Sequence, residues 1–149
     1  MTALTLAIAD QIATATLAAG RARNAHPLTV TVLDAGGHVV VTKREDGSGI
    51  LRCEIAHGKA WGALGMGLPS RTLNERAAGN PNFFTALAAA SGGRMVPNPG
   101  GVLLRDSAGR IVGAVGVSGD TADVDEVCAV EAIRTTTLTP DFGQDQHAD

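Results

Sequence analysis

Two segments of this chain repeat one device: an apolar, β-branched run, a four-residue turn that opens on Asp and closes on Gly, and a second apolar run. In the first, residues 28–33 lead into Asp34-Ala35-Gly36-Gly37 and then residues 38–44; in the second, residues 102–105 lead into Asp106-Ser107-Ala108-Gly109 and residues 110–117. Asp at the first and Gly at the fourth position are what tight turns favour. Each segment therefore predicts an antiparallel hairpin, and the likeness is a structural echo that does not require duplication. With helical patterns before, between and after them, the hairpins restrict the chain to an α+β domain: an antiparallel sheet, four strands and a place for a fifth, packed with helices.

The helical stretches follow from spacing. Leu4, Ile8, Ile12, Ala15, Ala19 and Ala22 recur at helical intervals and predict a helix over 2–24, ended before His26-Pro27. A second helix over 50–66 carries Gly58, Gly62 and Gly65, each costing about 1 kcal/mol against alanine, so it requires tertiary support. Residues 72–78 predict a short helix with a Thr72/Glu75 capping box, and Asn80-Pro81 opens another that runs to Ser91 and stops at Gly92-Gly93. A last helix is expected from 124 to about 136 behind an Asp123/Glu126 capping box. Residues 1–138 read as one domain and 139–149 as a loose tail.

Composition removes several function classes. The net charge of −3 is spread without a basic stripe, which argues against nucleic acid as a partner. No run of about 20 apolar residues is present and no signal-like N-terminus, so no membrane partner and a cytoplasmic location are expected. Cys53 and Cys128 lie in neither a CxxC nor a CxxH spacing and read as small buried hydrophobes. The motifs for dinucleotides, P-loop phosphates, zinc hydrolases and serine hydrolases are missing, and no metal site is assigned. Few aromatics and many Ala and Gly favour close backbone contacts, including helices packed between subunits.

Candidate chemistry gathers in two places. Gly113-Ala114-Val115-Gly116-Val117-Ser118-Gly119 is a strand rich in glycine that feeds a capped helix, a pattern expected where backbone or ligand comes close. The helix over 50–66 holds Arg52, Cys53, Glu54, His57, Lys59 and Trp61. At about 100° per residue, Glu54, His57 and Trp61 share one side, while Arg52 and Lys59 lie on another. Glu54 and His57 form either an acid/base pair or an ordinary surface contact. Arg52 and Lys59 form either a cationic pocket for a carboxylate or solvated charges. Gly100, Gly101 and Ser118 offer backbone amides and a hydroxyl that could hold an anion. Haem needs one axial residue, and His57, His38, His26, Met66 and Met95 supply candidates.

The segments Val32-Leu33-Asp34-Ala35-Gly36-Gly37-His38, Ala56-His57-Gly58-Lys59-Ala60, Pro99-Gly100-Gly101-Val102 and the Gly113 to Gly119 run, in this order, resemble the GlcG/HbpS family over most of the chain. The resemblance implies a five-stranded antiparallel sheet packed with helices, profilin-like in shape, and assembly into homo-oligomers, octamers among them. It implies a small-molecule ligand, with haem binding or haem degradation the first reading. The motif lysine of the family falls on Lys59, and its glycine loop and strand end fall on Gly100, Gly101 and Ser118. The chain departs from plainer members at Arg52-Cys53-Glu54, at His57, in an insert over 69–84 and in the loop Arg94-Met95-Val96-Pro97-Asn98. These departures add Arg52, Arg94 and Asn98 as ligand-binding candidates around a pocket walled by 113–121, Gly100-Gly101 and the charged helix. A second reading is a cofactor-independent enzyme of organic acid metabolism. In it Arg52, Lys59 or Arg94 holds a carboxylate, Glu54, His57 and Lys59 do the lyase- or isomerase-type proton chemistry, and glycine amides steady an enolate. A third is a non-catalytic oligomeric scaffold or sensor partner.

Overall fold

In the computed structural model, which describes residues 3–143, both Asp-x-x-Gly segments close antiparallel hairpins. The chain runs α1 (Leu6–Ala22), β1 (Thr29–Asp34), β2 (Val39–Arg44), α2 (Arg52–Met66), α3 (Ser70–Gly79), α4 (Pro81–Ala90), β3 (Gly101–Arg105), β4 (Ile111–Ser118), α5 (Ala122–Ile133) and β5 (Thr139–Asp141). The two turns are built alike. Asp34 Oδ1 accepts the amides of Gly36 and His38, and Asp106 Oδ1 accepts those of Ala108 and Arg110, at 2.9 to 3.0 Å. Gly37 and Gly109 close the turns at φ 84° and 79°, the left-handed region that glycine enters without steric cost.

The strands form one antiparallel sheet in the order β2-β1-β4-β3-β5. Side chains alternate between its faces. Val30, Val32, Val102, Leu104, Val115 and Val117 pack with Ile12, Ala13, Ala129 and Ile133 of α1 and α5. Leu33, Leu103 and Ala114 pack with Ala60 and Ala63 of α2. Because both faces are covered, β1, β3 and most of β4 are buried along their length.

Several boundaries differ from the sequence reading. Thr5 caps α1, its hydroxyl accepting the Ile8 amide at 3.2 Å. α3 begins two residues earlier than expected, behind Pro69 with no side-chain cap. α5 is capped by Thr121, which accepts the Val124 amide, and not by an Asp123/Glu126 box. Glu126 is instead buried and accepts from Arg71 of α3 at 3.0 and 3.1 Å, while Arg71 also binds Asp123. Thr139–Asp141, expected to begin the loose tail, pairs with β3, and Arg105 holds Asp141 at 2.9 Å. A three-residue strand is too short to show periodicity. The remainder of that expected tail, 144–149, lies outside the described residues. α4 is the exception among the helices: none of its residues is buried.

Candidate functional site

α2 lies almost in contact with the sheet because glycine occupies the crossing points. A Cβ on Gly116 would stand 1.9 Å from the Ala56 carbonyl oxygen, and one on Gly101 would stand 2.3 Å from that of Lys59. Gly116 and Gly101 therefore serve close helix packing, while Gly113 and Gly119 lie against the Leu33 carbonyl and the Pro27-Leu28 backbone, and α2 occupies the space expected between that run and Gly100-Gly101.

Lys59 occupies the centre of that filled space. Its side chain is 3% exposed; Nζ donates to the Val117 carbonyl at 2.8 Å and to Asp125 of α5 at 3.2 Å. The lysine thus reaches past the end of the sheet to tie the helix on one face to the helix on the other. Burial pulls its pKa down and pushes that of Asp125 up, while the two opposite charges counteract both shifts. Groups from the segments read as an anion cradle have protein partners. Gly101 N–H donates to Ser70 Oγ at 2.7 Å, the Gly100 carbonyl accepts the Val117 amide, and buried Ser118 accepts from Arg52 at 3.0 Å. Lys59, Gly100, Gly101, Ser118 and Arg52 are thereby brought together in one closely packed, hydrogen-bonded cluster.

The open space lies on the other side of α2. A groove of about 560 Å³ runs between the start of α2, the β1–β2 edge and the loop after α4, lined by Thr31, Val39, Thr42, Leu51, Ile55 and Val96 and by Cys53, Glu54, His57, Gly93 and Arg94. Its size is within the roughly 300–1,000 Å³ of small-ligand sites. Glu54 and His57 meet in the groove as their i, i+3 spacing requires, Glu54 at its exposed lip and His57 half-buried. Burial and the nearby Arg94 cation hold the His57 imidazole below its ordinary pKa of 6.5. Arg94 stacks over Trp61, its guanidinium carbon 4.1 Å from the ring centre. The Val96 amide donates to the Gly58 carbonyl at 3.2 Å and pins the loop to α2. Asn98 is exposed and lies outside the lining, its amide turned to the Val96 carbonyl.

Of the cysteines, Cys128 is buried as expected, but Cys53 is a half-buried free thiol that lines the groove. The apolar lining from β1, β2 and Val96 was missed in sequence because those residues come from separate segments. The one available signal was that Cys53 and His57 share a helix face with Glu54. Among the described residues no group of three His, Cys, Asp or Glu side chains could hold a bare metal ion.

The fold and the groove define a small α+β domain with a lateral, mainly apolar groove. The chain belongs to the HbpS-like family, whose model, described as haem degrading protein HbpS-like, matches residues 4–134. It is 30% identical over 132 residues to an uncharacterised 15.0 kDa protein of the dhaT-dhaS intergenic region of Citrobacter freundii, covering 87% of this chain and 89% of that one. Among solved structures it is similar to a PduOC:haem complex, with 26% identity, a TM-score of 0.84 and coverage of 94% of this chain and 99% of that chain. It is also similar to Streptomyces reticuli HbpS, in a double-mutant form, with 29% identity, a TM-score of 0.76 and coverage of 91% and 88%. The expected five-stranded α+β architecture is the one these relatives share. No described helix is long and apolar enough to cross a membrane.

Proposed function

We propose that the groove beside α2 binds haem, with His57 as the residue directed at the iron. The observation that carries this reading is the pairing of a half-buried imidazole, held below its ordinary pKa, with apolar walls from Val39, Leu51, Ile55 and Val96. A neutral imidazole is the form that ligates a metal. The donor set fits haem better than a bare cation, since haem iron needs one axial residue from the protein and the groove offers too few donors for a metal cage. Arg94, at the same groove, supplies a cation for a propionate, and its stacking on Trp61 holds it there. Bound haem supplies a redox-active iron. The chain's own contribution is to orient the ring, exclude water with aliphatic side chains and keep His57 unprotonated. The family relationship and the haem complex of a 26% identical relative support the same assignment.

The test is a haem titration followed in the Soret region. His57→Ala is expected to weaken binding roughly tenfold or more, about 1.4 kcal/mol per tenfold, and to change the ligation spectrum. Indifference of both to His57→Ala would remove the assignment. The pH profile carries an independent expectation. With its pKa lowered, folded His57 takes up its proton only in more acid solution than an ordinary imidazole does. Affinity should therefore begin to fall at a lower pH than it would for an unshifted histidine, a displacement read by repeating the titration across the acid range.

The same reading includes self-association through α4. This helix has no charged residue, buries none of its side chains and leaves Phe83 47% exposed. A ten-residue helix is marginal without packing, and a second copy of the chain supplies an apolar partner of matching character in the exposed Leu6 and Ile50, which lie outside the groove lining. Phe83→Glu with Ala86→Glu is expected to shift the mass in solution to that of a single chain with the circular dichroism spectrum retained. An unchanged assembly mass, or a wild type already monomeric at micromolar concentration, would refute it.

A further inference from the structure

We infer that Cys53 is a covalent anchor for the ligand of the groove, joining haem through a single thioether while His57 faces the iron. The inference rests on the haem reading above and goes beyond it. Its ground is the segment Cys53-Glu54-Ile55-Ala56-His57, in which a thiol precedes a histidine by four residues. That is the spacing of the outer cysteine and the histidine in the C-x-x-C-H attachment motif. Here the spacing lies in the first two turns of α2, where residues i and i+4 project from one face with Cβ atoms about 6 Å apart. Both side chains line the same groove, and Cys53 is a free, partly accessible thiol.

The rest of the segment accounts for a single bond. The position of the inner cysteine is taken by Ala56, fully buried, whose carbonyl oxygen faces Gly116 at the helix–sheet crossing. The other thiol, Cys128, is 0% exposed beneath Arg23, which donates to its Sγ at 3.4 Å, so it cannot compete. Cys53 is thus the one groove-facing sulfur among the described residues.

The step is an addition. The Cys53 S–H adds across the C=C bond of a haem vinyl group: sulfur bonds to the carbon next to the ring, and the proton ends on the terminal carbon. No group leaves, and no net oxidation or reduction occurs. The S–H bond and the vinyl π bond are broken, a C–S and a C–H bond are formed, and every atom of the thiol and the haem is kept.

The experiment incubates the full chain, thiols reduced, with ferrous haem under anaerobic dithionite. The visible spectrum is recorded for binding, and the protein is then unfolded and extracted with acid acetone. Wild type is expected to keep most of its haem through extraction, to gain the mass of one intact haem, and to give a pyridine haemochrome band shifted to the blue, as for loss of one vinyl. Cys53→Ser should still give a Soret change on adding haem, without the blue shift of a lost vinyl, and lose all its haem on extraction. Mesohaem, whose vinyls are saturated, should likewise bind and be fully extracted. Complete extraction of haem from a wild type that had shown the Soret change would overturn the anchor and leave the haem reading standing. Absence of any Soret change would overturn both.

Discussion

Lys59→Ala is expected to destabilise the fold by about 3–5 kcal/mol, the range for breaking a buried ion pair from one side. Asp125 would remain 1% exposed with its lysine gone, keeping only the Asp120 amide at 2.9 Å, and the Val117 carbonyl would lose its donor. At roughly 2–4 °C per kcal/mol for a chain of this size, the melting temperature should fall by about 6–20 °C. The partner experiment separates charge from packing. Lys59→Met with Asp125→Asn keeps the volume and an acceptor for the Asp120 amide but removes both charges. Burial disfavours each charge, drawing the lysine down and the aspartate up, so the neutral pair should recover most of the loss. Thermal and urea unfolding by circular dichroism measure both variants. A loss below about 1 kcal/mol for Lys59→Ala would show that the helix–helix tie contributes little, contrary to its geometry.

Gly116→Ala is the second large effect. Gly116 lies in β4 between Thr31 of β1 and Gly101 of β3. Its added methyl would meet the Ala56 carbonyl oxygen at 1.9 Å, the Ala56 carbonyl carbon at 2.9 Å and the Ala60 nitrogen at 3.1 Å. These are helix backbone atoms, which cannot rotate aside, so α2 must lift from the sheet. The cost is expected to be about 3 kcal/mol or more, the upper part of the range for overpacking. Because α2 also carries Cys53 and His57, the groove should distort and haem affinity fall with stability. Gly65→Ala is the control on the same helix. Nothing lies within 4 Å of the place its methyl would take, and helix propensity alone predicts a gain of about 0.5–1 kcal/mol. Equal responses of the two variants would show that proximity to the sheet is not what selects glycine at 116.

The elements legible in sequence are those specified by neighbours along the chain. The two Asp-x-x-Gly turns satisfy themselves locally, one carboxylate oxygen serving two amides a few residues away, so their hairpins could be placed to within a residue or two. The breaks at Pro69 and Gly92-Gly93 are likewise local. The capping of α5 was misjudged because Thr121 and Asp123 are both competent caps, and the choice depends on Arg71 drawing Asp123 and Glu126 toward α3. The place of the expected fifth strand, at the start of the expected tail, was not legible because its three residues pair only with the distant β3.

The candidate site divides in the same way. Helical spacing alone separated Glu54 and His57 from Lys59, and the separation holds: one face lines an open groove and the other is sealed against the sheet. Which face meets solvent was beyond any local signal. It depends on Gly101 and Gly116 admitting α2 so close that Lys59 is trapped beside Val117 and Asp125, while the loop at Val96 folds back onto Gly58 to wall the groove. Sequence by itself determined the α+β class, the paired hairpins, the helix faces and the family. Tertiary structure decided that the glycine-rich strand is a packing surface, that Lys59 is a tie between helices and that Cys53 shares a cavity with His57. Turns and helical faces follow from interactions within a few residues, whereas burial is a property of contacts between segments far apart in the chain.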